Sequence, residues 1–208
     1  MTITNTIKKE LAFEVNFINT YDKLLFSNLA KNGQHPEVLM ITCCDSRIDP
    51  VKVMGAELGE LFIIKNVANI VPPFESNDGY HGTSAALEFA VCNLKVKHII
   101  ILGHSCCGGI LSMFDKQMEE IPSSSFIKKW MNIARPCKDL VSKLYPGKTI
   151  NEQIELCAQH SLINSKENLL SFDFINQAIK NHNLMIHTWY FEFSSGNIFN
   201  ILENTIAL

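Results

Sequence analysis

The chain has 208 residues, 47% of them hydrophobic, with 18 basic and 21 acidic side chains and a formal charge of -3. This composition excludes a disordered polyelectrolyte, and the balanced charge, with no run of lysines or arginines, excludes a protein that tracks nucleic-acid phosphates. No stretch reaches the roughly 20 apolar residues of a membrane span, and Lys8, Lys9 and Glu10 interrupt the N-terminal region where a signal peptide needs an apolar core.

The length fits a single domain over 1–208, with 1–33 as an N-terminal helical arm and 34–208 as the core. Within the arm, Leu11, Phe13, Val15 and Phe17 form an apolar segment that can pack on a partner chain or on its own domain. Val38–Cys43, Leu61–Lys65 and His98–Leu102 are short, nearly continuous apolar runs, the pattern of buried strands in a parallel sheet. Between the second and third, Thr83 or Ser84 can cap a helix whose apolar positions Ala86, Phe89, Ala90 and Leu94 recur at helical spacing. Gly108 and Gly109 open another helix, expected to run to about Met118. Helical segments follow from Ser123 to about Ile179, broken near Pro136 and at Pro146-Gly147. Finally, 187–193 and 198–202 flank the turn residues 194–197 and predict a hairpin. The fold class is therefore α/β: a mostly parallel central sheet of about four strands plus a C-terminal antiparallel edge strand, flanked by helices. Ligands of such a sheet bind beyond the carboxyl ends of the parallel strands.

The chemistry-bearing residues stand at those ends. The first strand runs into Cys43-Cys-Asp-Ser-Arg47 and the third into His104-Ser-Cys-Cys-Gly108. Thiolate and neutral imidazole are preferred zinc ligands, and three of them leave one position open. His104 and Cys107 can be aimed at one metal by a strand-to-helix turn, and Cys107 is favoured over Cys106 because it directly precedes the helix, whose free amides and positive end favour a thiolate. Chemistry alone does not choose between Cys43 and Cys44. Seven cysteines, an odd number without an export signal, suit a reducing, cytoplasmic setting and argue against a disulfide framework. The two-residue gap of a redox cysteine pair does not occur around either cluster. Asp45 and Arg47, two apart, can form a charge-assisted pair. Asp45 then either accepts a hydrogen bond from a zinc-bound water or itself fills the fourth position until Arg47 draws it away.

These motifs, with Asn66-Val-Ala-Asn69 and His104-x-x-Cys107-Gly-Gly109, resemble those of the β-class carbonic anhydrases. The segments Gly59–Phe62, Val71–Pro73, Gly82–Glu88 and Trp189–Phe191 extend the resemblance over roughly Gln34 to Leu202. The resemblance implies one zinc per chain on Cys43, His104 and Cys107, Asp45 and Arg47 as the catalytic pair, and Cys44 and Cys106 as bystanders. It implies reversible hydration of carbon dioxide to bicarbonate by a zinc-bound hydroxide that Asp45 and Arg47 orient. Gln34, Phe62 and Val67 match the substrate pocket of the plant-like, open-site branch; Phe89 stands where that branch has a tyrosine. The amide of Gly108 or the side chain of Gln34 can steady the oxygen that gains charge. His81 is a candidate proton relay. The family also implies a homo-oligomer, a dimer or dimer of dimers, with no nucleic acid or membrane partner. Carbonyl sulfide or carbon disulfide hydrolysis on the same scaffold, and a noncatalytic zinc or thiol sensor acting through Cys44 and Cys106, are the other readings the sequence leaves open.

Overall fold

The computed structural model describes residues 22–77, 79–116 and 120–202; Leu11, Phe13, Val15 and Phe17 lie outside them. The chain divides into two compact units, Met1–Gln34 and His35–Leu208. Helix α1, Lys23–Asn32, belongs to the first. Asp22 caps it by accepting from the amide of Leu25 at 2.9 Å, and Gly33, at φ 73°, closes it in a conformation that glycine adopts without cost.

The second unit is built on a five-stranded sheet: β1 Val38–Cys43, β2 Leu61–Asn66, β3 His98–His104, β4 Met185–Phe191 and β5 Ile198–Asn200. The order is β2-β1-β3-β4-β5; the first four strands are mutually parallel and β5 returns antiparallel to β4, as the hairpin signal predicts. The continuous apolar runs explain the centre. Leu39, Met40 and Ile41 of β1 and Ile99 to Leu102 of β3 are buried, as expected for strands covered on both faces. The run in β2 is different, because β2 is an edge strand in which only Ile64 is buried and Ile63 is 36% exposed. An apolar run marks surface to be covered, and it does not say whether the cover comes from the same chain.

The described α-helices of this unit include α2 Pro50–Met54, α3 Gly82–Glu88, α4 Gly108–Ser112, α5 Phe126–Met131, α6 Arg135–Leu144, α7 Ile150–Leu169 and α8 Asp173–His182, and α3 continues into a π-helical segment, Phe89–Asn93. Two boundaries depart from the sequence expectation. Helix α3 begins at Gly82 after His81, so Thr83 and Ser84 lie in its first turn and no side chain caps it. Helix α4 stops at Ser112, where the ladder tightens to three-residue bonds from Met113 to Ile110 and from Phe114 to Leu111. Pro136 sits in the first turn of α6, where its missing amide costs nothing, and the break falls just before it, at Asn132–Ala134. The break at Pro146-Gly147 stands, and Thr149 and Glu152 then form a reciprocal capping box at the start of α7.

One close approach fixes α7 against the sheet. A Cβ on Gly103, the penultimate residue of β3, would stand 3.0 Å from Cδ2 of Leu162, so the missing side chain lets α7 sit tightly against the strand end that carries His104.

Candidate metal centre

Adjacent parallel strands deliver the first two donors. β1 ends at Cys43 and β3 at His104, with Thr42 opposite Leu102 in the register. The chain then turns through Ser105 and Cys106, the latter at φ 55°, and Cys107 enters as the N-cap of α4. A non-glycine residue in the left-handed region costs roughly 1–2 kcal/mol, so this turn is held by its surroundings. The outcome is that donor atoms of Cys43, His104 and Cys107 lie within 4.8 Å of one another, all three side chains buried. The sulfurs of Cys43 and Cys107 are 4.0 Å apart. Cys44 and Cys106 are exposed and lie outside this cluster.

The donor set fits a cation. Nδ1 of His104 lies 2.9 Å from the carbonyl of Ser105, which places the ring proton on that nitrogen, while Nε2 is buried without a protein partner. Buried polar atoms are rarely left unpaired, and a ring fixed through one nitrogen with the other free is the arrangement of a metal-ligating histidine. Cys43 is drawn toward the thiolate: the thiol of Cys107 donates to its sulfur, as do the amides of Asp45 at 3.4 Å and Ala68 at 3.3 Å. The proton-holding partner, Cys107, is correspondingly pushed up beside that thiolate and by burial. Burial works against a charged His104, but the Cys43 sulfur and the Ser105 carbonyl outweigh it and raise the imidazole. A soft, electron-rich set of two sulfurs and one nitrogen suits zinc.

Asp45 and Arg47 form a bidentate pair. Nε of Arg47 donates to Oδ1 at 2.9 Å and Nη2 to Oδ2 at 2.7 Å, and the Arg47 amide adds a third bond to Oδ1 at 2.9 Å. The guanidinium holds the Asp45 carboxyl well below the usual carboxylate range. It is itself fixed by the Cys106 carbonyl, 3.0 Å from Nη2, and by the Phe193 ring, 4.8 Å from Cζ. The Asp45 side chain is 14% exposed, and its carboxylate is not part of the three-donor cluster.

The remaining sequence-predicted residues fall in different places. Val67 stands beside the cluster, its Cγ1 against Gly109 and its carbonyl held by the indole N–H of Trp130 at 2.8 Å. Gly108 is the first residue of α4. Phe62 and Phe89 pack together with ring centroids 6.0 Å apart. They sit away from the cluster, however: Phe62 pairs with Leu39 while Asn66 pairs with Cys43, which puts Phe62 about 13 Å back along the strand. Gln34 is exposed at the end of the first unit. Nε2 of His81 donates to Oδ1 of Asn77 at 2.7 Å, and His81 borders a cavity of about 850 Å³ that Cys44, Asn66, Val67, Tyr80 and Trp130 also line.

Sequence reasoning missed Glu155, Tyr190, Ser105 and Trp130. Glu155 accepts from the amide of Cys106 at 2.9 Å and from the hydroxyl of Tyr190. Ser105 is tied to the end of β4 by its amide on the Phe191 carbonyl, 3.0 Å, and by its hydroxyl, which accepts from Phe193 at 2.9 Å. One signal was available: Glu155 is a lone charge inside the apolar run 154–158 of a helix.

Residues 38–198 match the family model described as carbonic anhydrase. A carbonic anhydrase of Synechococcus elongatus is 34% identical over 85% of this chain and 64% of its own length. Beta carbonic anhydrase 3 of Arabidopsis thaliana is 33% identical over 86% and 69%. The chain thus spans about two thirds of the length of these relatives. Among solved structures, the β-carbonic anhydrase CcaA superposes with a TM-score of 0.85 at 27% identity, covering 94% of this chain and 87% of that one. A tetrameric β-carbonic anhydrase of Sordaria macrospora gives 0.80 at 28% identity, covering 95% and 97%.

Proposed function

Because the chain belongs to the β-class carbonic anhydrases, we propose that it interconverts carbon dioxide and bicarbonate as a zinc enzyme, with Cys43, His104 and Cys107 as the ligands and Asp45 and Arg47 as the catalytic pair. The observation that carries this reading is the convergence of three buried soft donors, one of them a histidine whose Nε2 has no protein partner.

Zinc, when bound, is a Lewis acid that brings the pKa of coordinated water from 15.7 to about 7. The chain's own residues do the rest. Asp45, kept ionised by Arg47, accepts a hydrogen bond from the attacking solvent oxygen and turns its lone pair toward the substrate carbon. Both Asp45 oxygens are engaged by Arg47, which supports an open centre over one that Asp45 closes. Val67 offers apolar surface to carbon dioxide, and the amide of Gly108 steadies the oxygen that gains charge. Gln34 favours the plant-like branch, and Phe89 lacks the hydroxyl of that branch's tyrosine. His81 is the relay we propose for the proton.

Phe62 and Phe89 belong to the pocket in this reading, yet they lie on the β2 edge away from their own cluster. They therefore complete the pocket of a second copy, in a dimer or dimer of dimers, and the exposed Ile63 on the same edge suits such a covering. The tetrameric Sordaria macrospora relatives support that arrangement. No nucleic acid or membrane partner is proposed; among the described residues no helix is long and apolar enough to cross a membrane. Seven unpaired thiols suit a reducing cytoplasm.

The test is zinc content per chain together with carbon dioxide hydration rate across pH, for the wild type, Cys43→Ala and His104→Ala. We expect one zinc per wild-type chain, and loss of metal and turnover together in each variant. Retained zinc with full turnover in either variant overturns the ligand set. A zinc-loaded wild type that releases sulfide from carbonyl sulfide but hydrates no carbon dioxide overturns the reaction.

A further inference from the structure

We propose that Glu155 is a positioning residue for this centre: from α7 it holds the Cys106 peptide in the conformation that turns His104 and Cys107 toward one point. The inference rests on the zinc reading above and adds to it a side chain 49 residues beyond Cys106 in the chain.

The turn between the two ligands has few restraints of its own. Ser105 is tied to β4 and β4's continuation through Phe191 and Phe193, and Cys107 is fixed as the first residue before α4. Cys106 lies between them at φ 55°, where a residue with a Cβ relaxes unless something holds it. Two groups hold it. Its amide donates to Oε1 of Glu155 at 2.9 Å, and its carbonyl accepts from Nη2 of Arg47 at 3.0 Å. The same peptide unit region thus links α7 on one side with the Asp45–Arg47 pair on the other.

Glu155 is in turn well placed to act as a fixed point. Its Oε2 accepts the hydroxyl of Tyr190, a buried residue of β4. Its height along the sheet is set by Leu162, seven residues on and so on the same helix face, which sits against Gly103. Gly103 and Tyr190 are register partners in β3 and β4, so one pair of strand positions receives both contacts from α7. A glutamate serving only to attach α7 to β4 would need Tyr190 alone; its other oxygen is spent on the turn between two metal ligands.

The experiment measures the rate at which zinc passes to a chelator, and the thiolate-to-metal absorption bands of the cobalt-substituted protein, in the wild type, Glu155→Ala, Glu155→Gln and Tyr190→Phe. Partners that orient metal ligands typically change metal affinity about 10- to 100-fold when removed. Glu155→Ala should release zinc faster by that factor and shift the cobalt bands. Glu155→Gln should behave as wild type, because its carbonyl still accepts from Cys106 and its amide can donate to Tyr190. Tyr190→Phe should show the same change as Glu155→Ala to a smaller degree, and it carries the test if Glu155→Ala does not fold. Wild-type release and an unchanged cobalt spectrum in Glu155→Ala, even with a lowered melting temperature, would reduce Glu155 to a packing role and overturn the proposal. So would a Glu155→Gln protein as impaired as Glu155→Ala. A wild type that holds zinc but does not hydrate carbon dioxide would remove the proposed reaction and leave these two readouts to decide Glu155; a wild type that takes up neither metal would overturn both.

Discussion

Val67 lies so close to Gly109 that a Cβ at position 109 would stand 2.9 Å from its Cγ1, and 3.0 Å from the Cβ of Ala68. Ala68, at φ 62°, donates its amide to the Cys43 sulfur, so this contact sets the distance between the α4 turn and the turn that polarises Cys43. Gly109→Ala must push the two apart. The expected result is a loss of about 1–3 kcal/mol in urea unfolding, the usual cost of overpacking, together with faster zinc release. Gly108→Ala is the control, since a Cβ there meets nothing within 4 Å; its stability should stay within about 0.5 kcal/mol of wild type. Equal effects of the two substitutions would refute the steric account.

The three bonds from Arg47 to Asp45 imply that charge on Asp45 matters more than the room it occupies. Asp45→Asn keeps the shape, removes the charge and leaves Arg47 facing an amide. Zinc content should remain at the wild-type level, while hydration falls about 10- to 100-fold or more. Stopped-flow hydration with parallel metal analysis checks this, and an unchanged rate would make the pair an ordinary loop ion pair.

The sheet and the three donors were legible because each rests on a local signal. Continuous apolar runs mark β1 and β3, and cysteine and histidine side chains able to bind a metal end them at the carboxyl ends, where an open parallel sheet puts its ligand. What sequence could not supply is direction and distance. The apolar run of β2 reads the same at an edge as in the centre, although its side chains are largely uncovered within one chain. Phe62 and Val67 stand five residues apart yet serve different neighbourhoods, because a strand carries one away from the cluster and a turn returns the other to it. The lone charge of Glu155 in an apolar run could mark it as unusual but not name its partner: its meeting with Tyr190 depends on how α7 settles on β3 and β4, and no local periodicity encodes that. The choice of Cys43 over Cys44 lies between these cases, since it follows from which way the last strand residue points.

Thiol exposure gives a count that labelling can check. Cys44, Cys92 and Cys106 are exposed and should react with an alkylating reagent in the native protein, Cys92 most slowly because burial and the charge of Glu88 push its thiol up. Cys137 and Cys157 should stay unlabelled until unfolding: both are buried, and burial raises Cys137 to about 12. Intact and peptide mass spectrometry should find three labelled sites in the native protein, two fast and Cys92 slower, with Cys43 and Cys107 protected. Early modification of Cys157 would show that the α7 face against the core is open.

The N-terminus of α7 should be acid-sensitive in a defined window. Glu152 accepts from the Thr149 amide at 2.8 Å, from the Thr149 hydroxyl at 2.8 Å and from Lys148 at 3.0 Å, and these bonds to its charged form hold it at about 2 rather than 4.5. A carboxyl depressed in the folded state binds fewer protons there than in the unfolded chain, so its stabilisation is complete above about pH 4.5 and fades as pH falls toward about 2. Glu152→Gln keeps a capping acceptor but removes the charge. Its urea midpoint should therefore lie below that of the wild type at pH 7, with the gap closing through that interval; a gap that is constant from pH 7 to 2 would mean the charge contributes nothing to the cap.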